Sequence, residues 1–171
     1  SLNTSHRYIR TYYARMYEAK FLMGAVAGAM SENGQLAYIA DYPIFGTIAN
    51  INAFALGAKM INPRARVYLE WSTLKDVDIR LAMENVQKKG VTVVSGKDMV
   101  IPEDASRYFG LYHLTEEGPH NLAMPLWHWG KFYEQLIRTI MDGTWKYDDN
   151  KDETKAINYW WGLSAEVIDV I

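Results

Sequence analysis

The stretch LAYIADYPIFGTIANINAFALGAK, residues 36–59, sets a carboxylate and two aromatic rings, Asp41, Tyr42 and Phe45, around Pro43. Leu36 to Tyr42 reads as a buried strand. Beyond Pro43, Ile48, Ile51, Phe54, Ala55 and Ala58 recur at helical spacing. A strand that bends sharply into a helix puts the bend at the carboxyl edge of a sheet, where open α/β sheets bind ligands. Other side chains end at the same edge: Trp71 after a second strand, Lys97 and Asp98 after a third. Asn50 stands one helical turn beyond Gly46. Each has a structural alternative. Tyr42 or Phe45 would cover the sheet edge, and Asp41 would cap the following turn or helix. Asn50 would pack or face solvent, Trp71 would lie away from the cleft, and Lys97 with Asp98 would form a solvated ion pair.

Catalytic patterns are missing from the sequence. It has no glycine-flanked nucleophilic serine, phosphate loop or dinucleotide fingerprint. Glu116–Glu117 and Asp148–Asp149 are adjacent pairs in expected loops, whereas acid/base pairs need a rigid cleft with distinct environments. His128 has no second histidine at ligand spacing, and a turn separates His113 from His120. No metal site, cofactor or enzymatic role is expected.

Six segments must position these residues. Helical periodicity over 8–31 gives an apolar stripe from Ile9 through Tyr12, Tyr13 and Met16 to Val26, closed at Gly34. Strand 36–42 and helix 46–61 follow, then a turn at Pro63, strand 66–71, and a helix over 76–90 closed by Gly90. Strand 91–96 and a fourth strand over 108–114 precede a long helix over about 127–142. Trp127 and Trp129, two apart, cannot share one helix face, so one should precede the helix. YDDNKDET reads as a polar surface loop, before YWWGL and VIDVI. Such strand–helix alternation predicts an α/β fold, a three-layer α/β/α Rossmann-like lobe with a mainly parallel twisted sheet and four strands exiting together.

The 171 residues suffice for one domain with a core, or for one lobe of something larger. With 49% apolar and 22% charged residues the balance is that of a globular chain. A net charge of −2 argues against a nucleic-acid partner held by a general basic field. Arg7, Arg10 and Arg15 are the notable basic cluster and read as a solvated helix face. The absence of cysteine excludes disulfides and thiolate chemistry. The longest apolar run, Phe21 to Met30, is too short to span a bilayer, and no signal segment is visible.

YEAKFLMGAVAGAMSENGQLAYIADYPIFGTIANINAFALGAKMINPRARVYLEW, then LWHWGKFYEQLIRTIMDGTWK, then YWWGL resemble, in order and spacing, the basic membrane protein family of extracytoplasmic solute-binding lipoproteins. Its best-understood members bind purine nucleosides for ABC transporters. The resemblance implies half of a type I periplasmic binding protein. Residues 1–126 would be the C-terminal lobe, 127–146 a hinge-crossing helix, and 147–171 a polar loop and last hinge segment. It also implies an absent N-terminal lobe, a membrane-anchored parent outside the cytoplasm, a nucleoside-like ligand and an ABC permease partner. An uncovered cleft would expose its aromatics and favour a homodimer.

A nucleoside asks for an aromatic face for its base and acceptors for its ribose; Tyr42, Phe45 and Asp41 would supply both. The chain departs from the family at two turns. SGKDM replaces a histidine-containing QHTDS-like turn, with Asp98 at the acidic position. HLTEEGPH, with Thr115 and Glu116, replaces a serine–aspartate turn. The same fold carries sensory or regulatory ligand-binding domains, and these altered turns also suit a lobe that has lost its ligand.

Overall fold

The computed structural model describes residues 11–73, 79–98, 109–143 and 158–171. In chain order they form β1 (Thr11–Ala14), α1 (Met16–Met30), β2 (Gln35–Ala40), α2 (Thr47–Ile61), β3 (Arg66–Trp71), α3 (Ile79–Gln87) and β4 (Val93–Ser95). There follow β5 (Leu111–Thr115), β6 (Gly118–Ala123), β7 (Pro125–Trp127), α4 (Trp129–Met141), β8 (Asn158–Trp161) and β9 (Ile168–Val170). No helix among the described residues is long and apolar enough to cross a membrane. The chain divides into two units, Met16–Leu126 with Val170–Ile171, and Ser1–Arg15 with Trp127–Asp169, and so passes between them three times.

In the larger unit the sheet order is β3-β2-β4-β5-β6. β2 lies parallel to β3 and to β4. Period-two alternation splits the core between the two faces. Leu36, Tyr38, Val93 and Leu111 meet Met23 and Ala27 of α1 and Phe54 and Ala58 of α2. Ala37, Ile39, Val94 and Tyr112 meet Ala82 and Val86 of α3. β2 is therefore buried on both faces, the reason its sequence is a continuous apolar run. The result is three layers, α/β/α, around a mainly parallel sheet.

α1 and α2 approach closely enough that their glycines have no room for a side chain. A Cβ on Gly24 would lie 2.0 Å from the Phe54 carbonyl oxygen, and one on Gly57 2.0 Å from that of Phe21.

Two expectations are corrected. The fourth strand, β5, runs antiparallel to β4 and continues through a tight turn into antiparallel β6. The link from β5 to β6 is too short for the crossover of a dozen or more residues that a parallel pair would need, so those two strands return antiparallel. Gly118, at φ 112, and the Thr115 Oγ1 bond to the Gly118 carbonyl at 2.7 Å close the turn. The expected helix over 8–31 begins only at Met16. Thr11–Ala14 is a strand, paired in parallel with Asn158–Trp161, as suits β-favouring tyrosines. The expected loop at 147–154 and positions 8–10 and 76–78 of the expected helices lie outside the described residues.

In the smaller unit β1 and β8 form a ladder. Phe132 of α4 is buried, its ring centre 4.4 Å from Tyr12, 5.1 Å from Trp161 and 5.8 Å from Tyr159. Trp127 ends β7 and Trp129 opens α4, the expected separation of the two indoles.

Candidate ligand site at the strand exits

The chain leaves β2 through α2, on one face, to reach β3. It returns through α3, on the other face, to β4 on the opposite side of β2. Strand order thus reverses between β2 and β4, and the exits of these two strands diverge. Such a switch point forms the crevice in which open α/β sheets hold ligands. Asp41 follows β2, and Lys97 and Asp98 follow β4. The Lys97 ammonium stands 3.7 Å from Asp41 Oδ1, joining the two exits.

Neighbouring hydroxyls hold Asp41. Ser72 Oγ donates to Asp41 Oδ1 at 3.0 Å, and Thr73 Oγ1 donates to the Asp41 carbonyl. Asp41 does not cap α2, whose N-cap is Gly46 at φ 90 with no side-chain cap bond; only glycine takes that backbone without strain. Pro43 sits in a tight turn, with the Ile44 N–H donating to the Tyr42 carbonyl at 2.8 Å. This turn leaves Tyr42 59% and Phe45 63% exposed. They project from the edge and do not fold over it.

Asn50 lies in the first turn of α2, its Oδ1 buried without a hydrogen-bond partner among the described residues. Trp71, the last residue of β3, packs half-buried against the core beneath α1 and α2. The solvated Lys97–Asp98 pair is not formed. Lys97 faces Asp41, and Asp98 Oδ1 pairs with Lys20 of α1.

Lys20 is the residue sequence reasoning passed over. It is 1% exposed, and Asp98 is 17% exposed. Its ammonium also stands 5.5 Å from the centre of the Tyr38 ring. Burial pulls the ammonium toward neutrality, but Asp98 and Tyr38 outweigh it and hold the pKa above the ordinary lysine value. Burial raises the Tyr38 hydroxyl as well, and Lys20 offsets part of that. Ser95, paired in register with Tyr38, is fully buried, and its Oγ has no partner among the described residues. The available signal was the buried face of α1, where Lys20 stands among Met16, Ala19, Met23, Gly24 and Ala27.

The antiparallel β5 moves the HLTEEGPH turn to the far edge of the sheet, so Thr115 and Glu116 stand away from these exits. It also sets His113 directly opposite His120 across the hairpin, where the sequence showed only an intervening turn. Among the described residues no three histidines, aspartates or glutamates gather as a metal-binding group.

A family model described as ABC transporter substrate-binding protein PnrA-like matches residues 4–101. The chain belongs to that family. One relative of this PnrA-like chain, in Haloferax volcanii, carries a name that assigns it glucose binding for an ABC transporter. It is 29% identical over 91% of this chain and 40% of its own length. Another, a purine-binding protein of Brucella abortus, is 27% identical over 92% of this chain and 45% of its own. The chain thus spans less than half of either relative. Among solved structures, a transcriptional activator of the comK gene from Bacillus halodurans has TM-score 0.60 at 15% identity, over 94% of this chain and 56% of that one. An ABC transporter solute-binding protein from Conexibacter woesei has TM-score 0.60 at 14% identity, over 94% and 54%. Those two likenesses show the fold alone, and one fold serves different functions.

Proposed function

We propose that this chain is one ligand-holding lobe of a solute-binding protein that works outside the cytoplasm and delivers a small uncharged molecule of the purine nucleoside class to an ABC permease. The observation that carries the reading is the switch-point crevice, spanned by Asp41 and Lys97 and flanked by the projecting rings of Tyr42 and Phe45. Charge supports it. Each described carboxylate there has an ammonium partner, Asp41 with Lys97 and Asp98 with Lys20. A charge-balanced sheet edge suits a neutral ligand, because an ionic one would add an uncompensated charge to a cleft that dries on closure.

A nucleoside matches both kinds of group. Its base lies against Tyr42 or Phe45, a stack worth about 1–3 kcal/mol. Its hydroxyls donate to Asp41, a charge-assisted bond stronger than a neutral one. Asn50 lies behind the bend as a further polar group, and Trp71 borders the edge from β3. A second lobe closing over the exits would exclude water, and the permease would read the closed shape. No covalent step is needed.

Calorimetry on the full-length parent, titrated with adenosine, inosine and glucose, tests the reading. Micromolar binding of a nucleoside is expected, weakened about tenfold or more by Phe45→Ala. If no nucleoside binds tighter than about millimolar, the ligand class is wrong.

A further inference from the structure

We propose that Lys20 is a positioning residue for the ligand: by holding Asp98 Oδ1 from beneath the sheet edge, it fixes that carboxylate and leaves Oδ2 to accept a hydrogen bond from a ligand hydroxyl. The inference rests on the binding reading above and adds a residue to it.

Three observations carry it. Lys20 is 1% exposed on the core face of α1, where an apolar side chain would pack at least as well. Buried ion pairs commonly contribute no more stability than hydrophobic residues of similar size, so their retention asks for another reason. Next, Asp98 stands at the exit of β4 beside the crevice, and Lys20 is its ion-pair partner among the described residues. A carboxylate held at one oxygen keeps the other for a second donor. Last, Lys20 cannot leave. Its stem lies between α1 and the sheet, and its ammonium rests near the Tyr38 ring, beside which Ser95 is fully buried. Lys97 is half exposed and free to swing from Asp41 when a ligand arrives. Asp98 is thus the fixed acceptor of the site and Asp41 the adaptable one, a division of the kind preorganised sites use.

Adenosine affinity of the full-length parent, by calorimetry, tests this in a cycle of Lys20→Met, Asp98→Asn and both together, with glucose titrated in parallel. Each single variant is expected to weaken adenosine binding about tenfold or more, the size of a lost bond to a charged group. The double variant should bind as Asp98→Asn does, because Lys20 acts through Asp98. Should either single variant fail to fold, the double variant, which carries neither charge, is read against wild type: a loss of about tenfold or more supports the inference and wild-type affinity overturns it. Equal affinities of the double variant and Asp98→Asn support the inference. A further tenfold loss from Lys20→Met in the Asp98→Asn background would overturn it, as would wild-type affinity in the single lysine variant. A wild-type protein that binds neither adenosine nor glucose overturns the binding reading and this inference together, whereas additive losses on a binding wild type overturn this inference alone.

Discussion

Two carboxylates stand at the exits of neighbouring strands, each beside a lysine, and what separates them is depth. Asp98 is 17% exposed against a lysine at 1%, while Asp41 is 45% exposed against a lysine at 49%. Their chemistry is the same, yet their energetics are opposed. An exposed pair trades water for a weak attraction and gains about 0–1 kcal/mol. A buried pair gains little over an apolar substitute, but losing one member strands the other in the interior at about 3–5 kcal/mol. One half of the edge is locked into the fold and the other rests on it. On the binding reading proposed above, the locked half would serve as a rigid reference and the open half as a surface able to rearrange.

The largest effect expected from this contrast is on folding. Asp98→Ala leaves the Lys20 ammonium buried and alone, and should cost about 3–5 kcal/mol in urea denaturation. A loss under about 1 kcal/mol would erase the distinction between the two halves.

The same pair should also show in alkaline unfolding. Lys20 is held above the ordinary lysine pKa in the folded state, chiefly by Asp98 against the opposing pull of burial. A folded-state pKa raised above the unfolded one gives stability that is complete below the unfolded value. That stability is lost as pH rises through the folded value. Tyr38, raised mainly by burial, acts in the same direction. Wild type should therefore lose stability above about pH 10, where unfolded lysine and tyrosine titrate. Lys20→Met with Asp98→Asn should remove the lysine's share of that limb of the stability–pH curve and leave the tyrosine's. An unchanged slope in the double variant would place the alkaline sensitivity elsewhere.

Next in size comes the layer that carries Lys20. Gly57 lets α2 approach α1, and an added Cβ would lie 2.0 Å from the Phe21 carbonyl oxygen, beside Lys20 in sequence. Backbone has to move, so Gly57→Ala should cost about 1–3 kcal/mol. Because α1 would carry Lys20 with it, the variant should also weaken the alkaline limb. If it lost stability and kept that limb intact, the pair would be less dependent on helix packing than its burial implies.

The sequence made the open half legible and hid the locked one. An apolar run, a proline and a helical period are local, and they placed β2, the bend at Asp41–Phe45 and α2 within a residue or two. Lys20 meets a partner 78 residues away. Nothing in YEAKFLMG alone says whether its lysine faces water. β1 shows the same limit. Tyr12 and Tyr13 fit a helical stripe as well as a strand, and their pairing with Tyr159 and Trp160 decided between them. The direction of β5 was hidden too, because strand direction depends on the connection before it. The place of Asp98 after β4 was legible in the sequence, and its ion-pair partner only in the fold.

The smallest effect is expected at Asp41, and it bears most directly on the open half. Asp41→Ala removes the acceptor of Ser72 Oγ and the partner of Lys97, both partly exposed and able to turn to water. The Thr73 bond reaches the backbone carbonyl of Asp41 and survives the change. A stability loss below about 1 kcal/mol follows. It should shrink further near 1 M salt, where screening acts within about 3 Å, while the Asp98→Ala loss persists because its stranded charge is buried. A loss at Asp41 above about 2 kcal/mol, insensitive to salt, would make both carboxylates structural and leave the crevice without an adaptable acceptor for ligand capture.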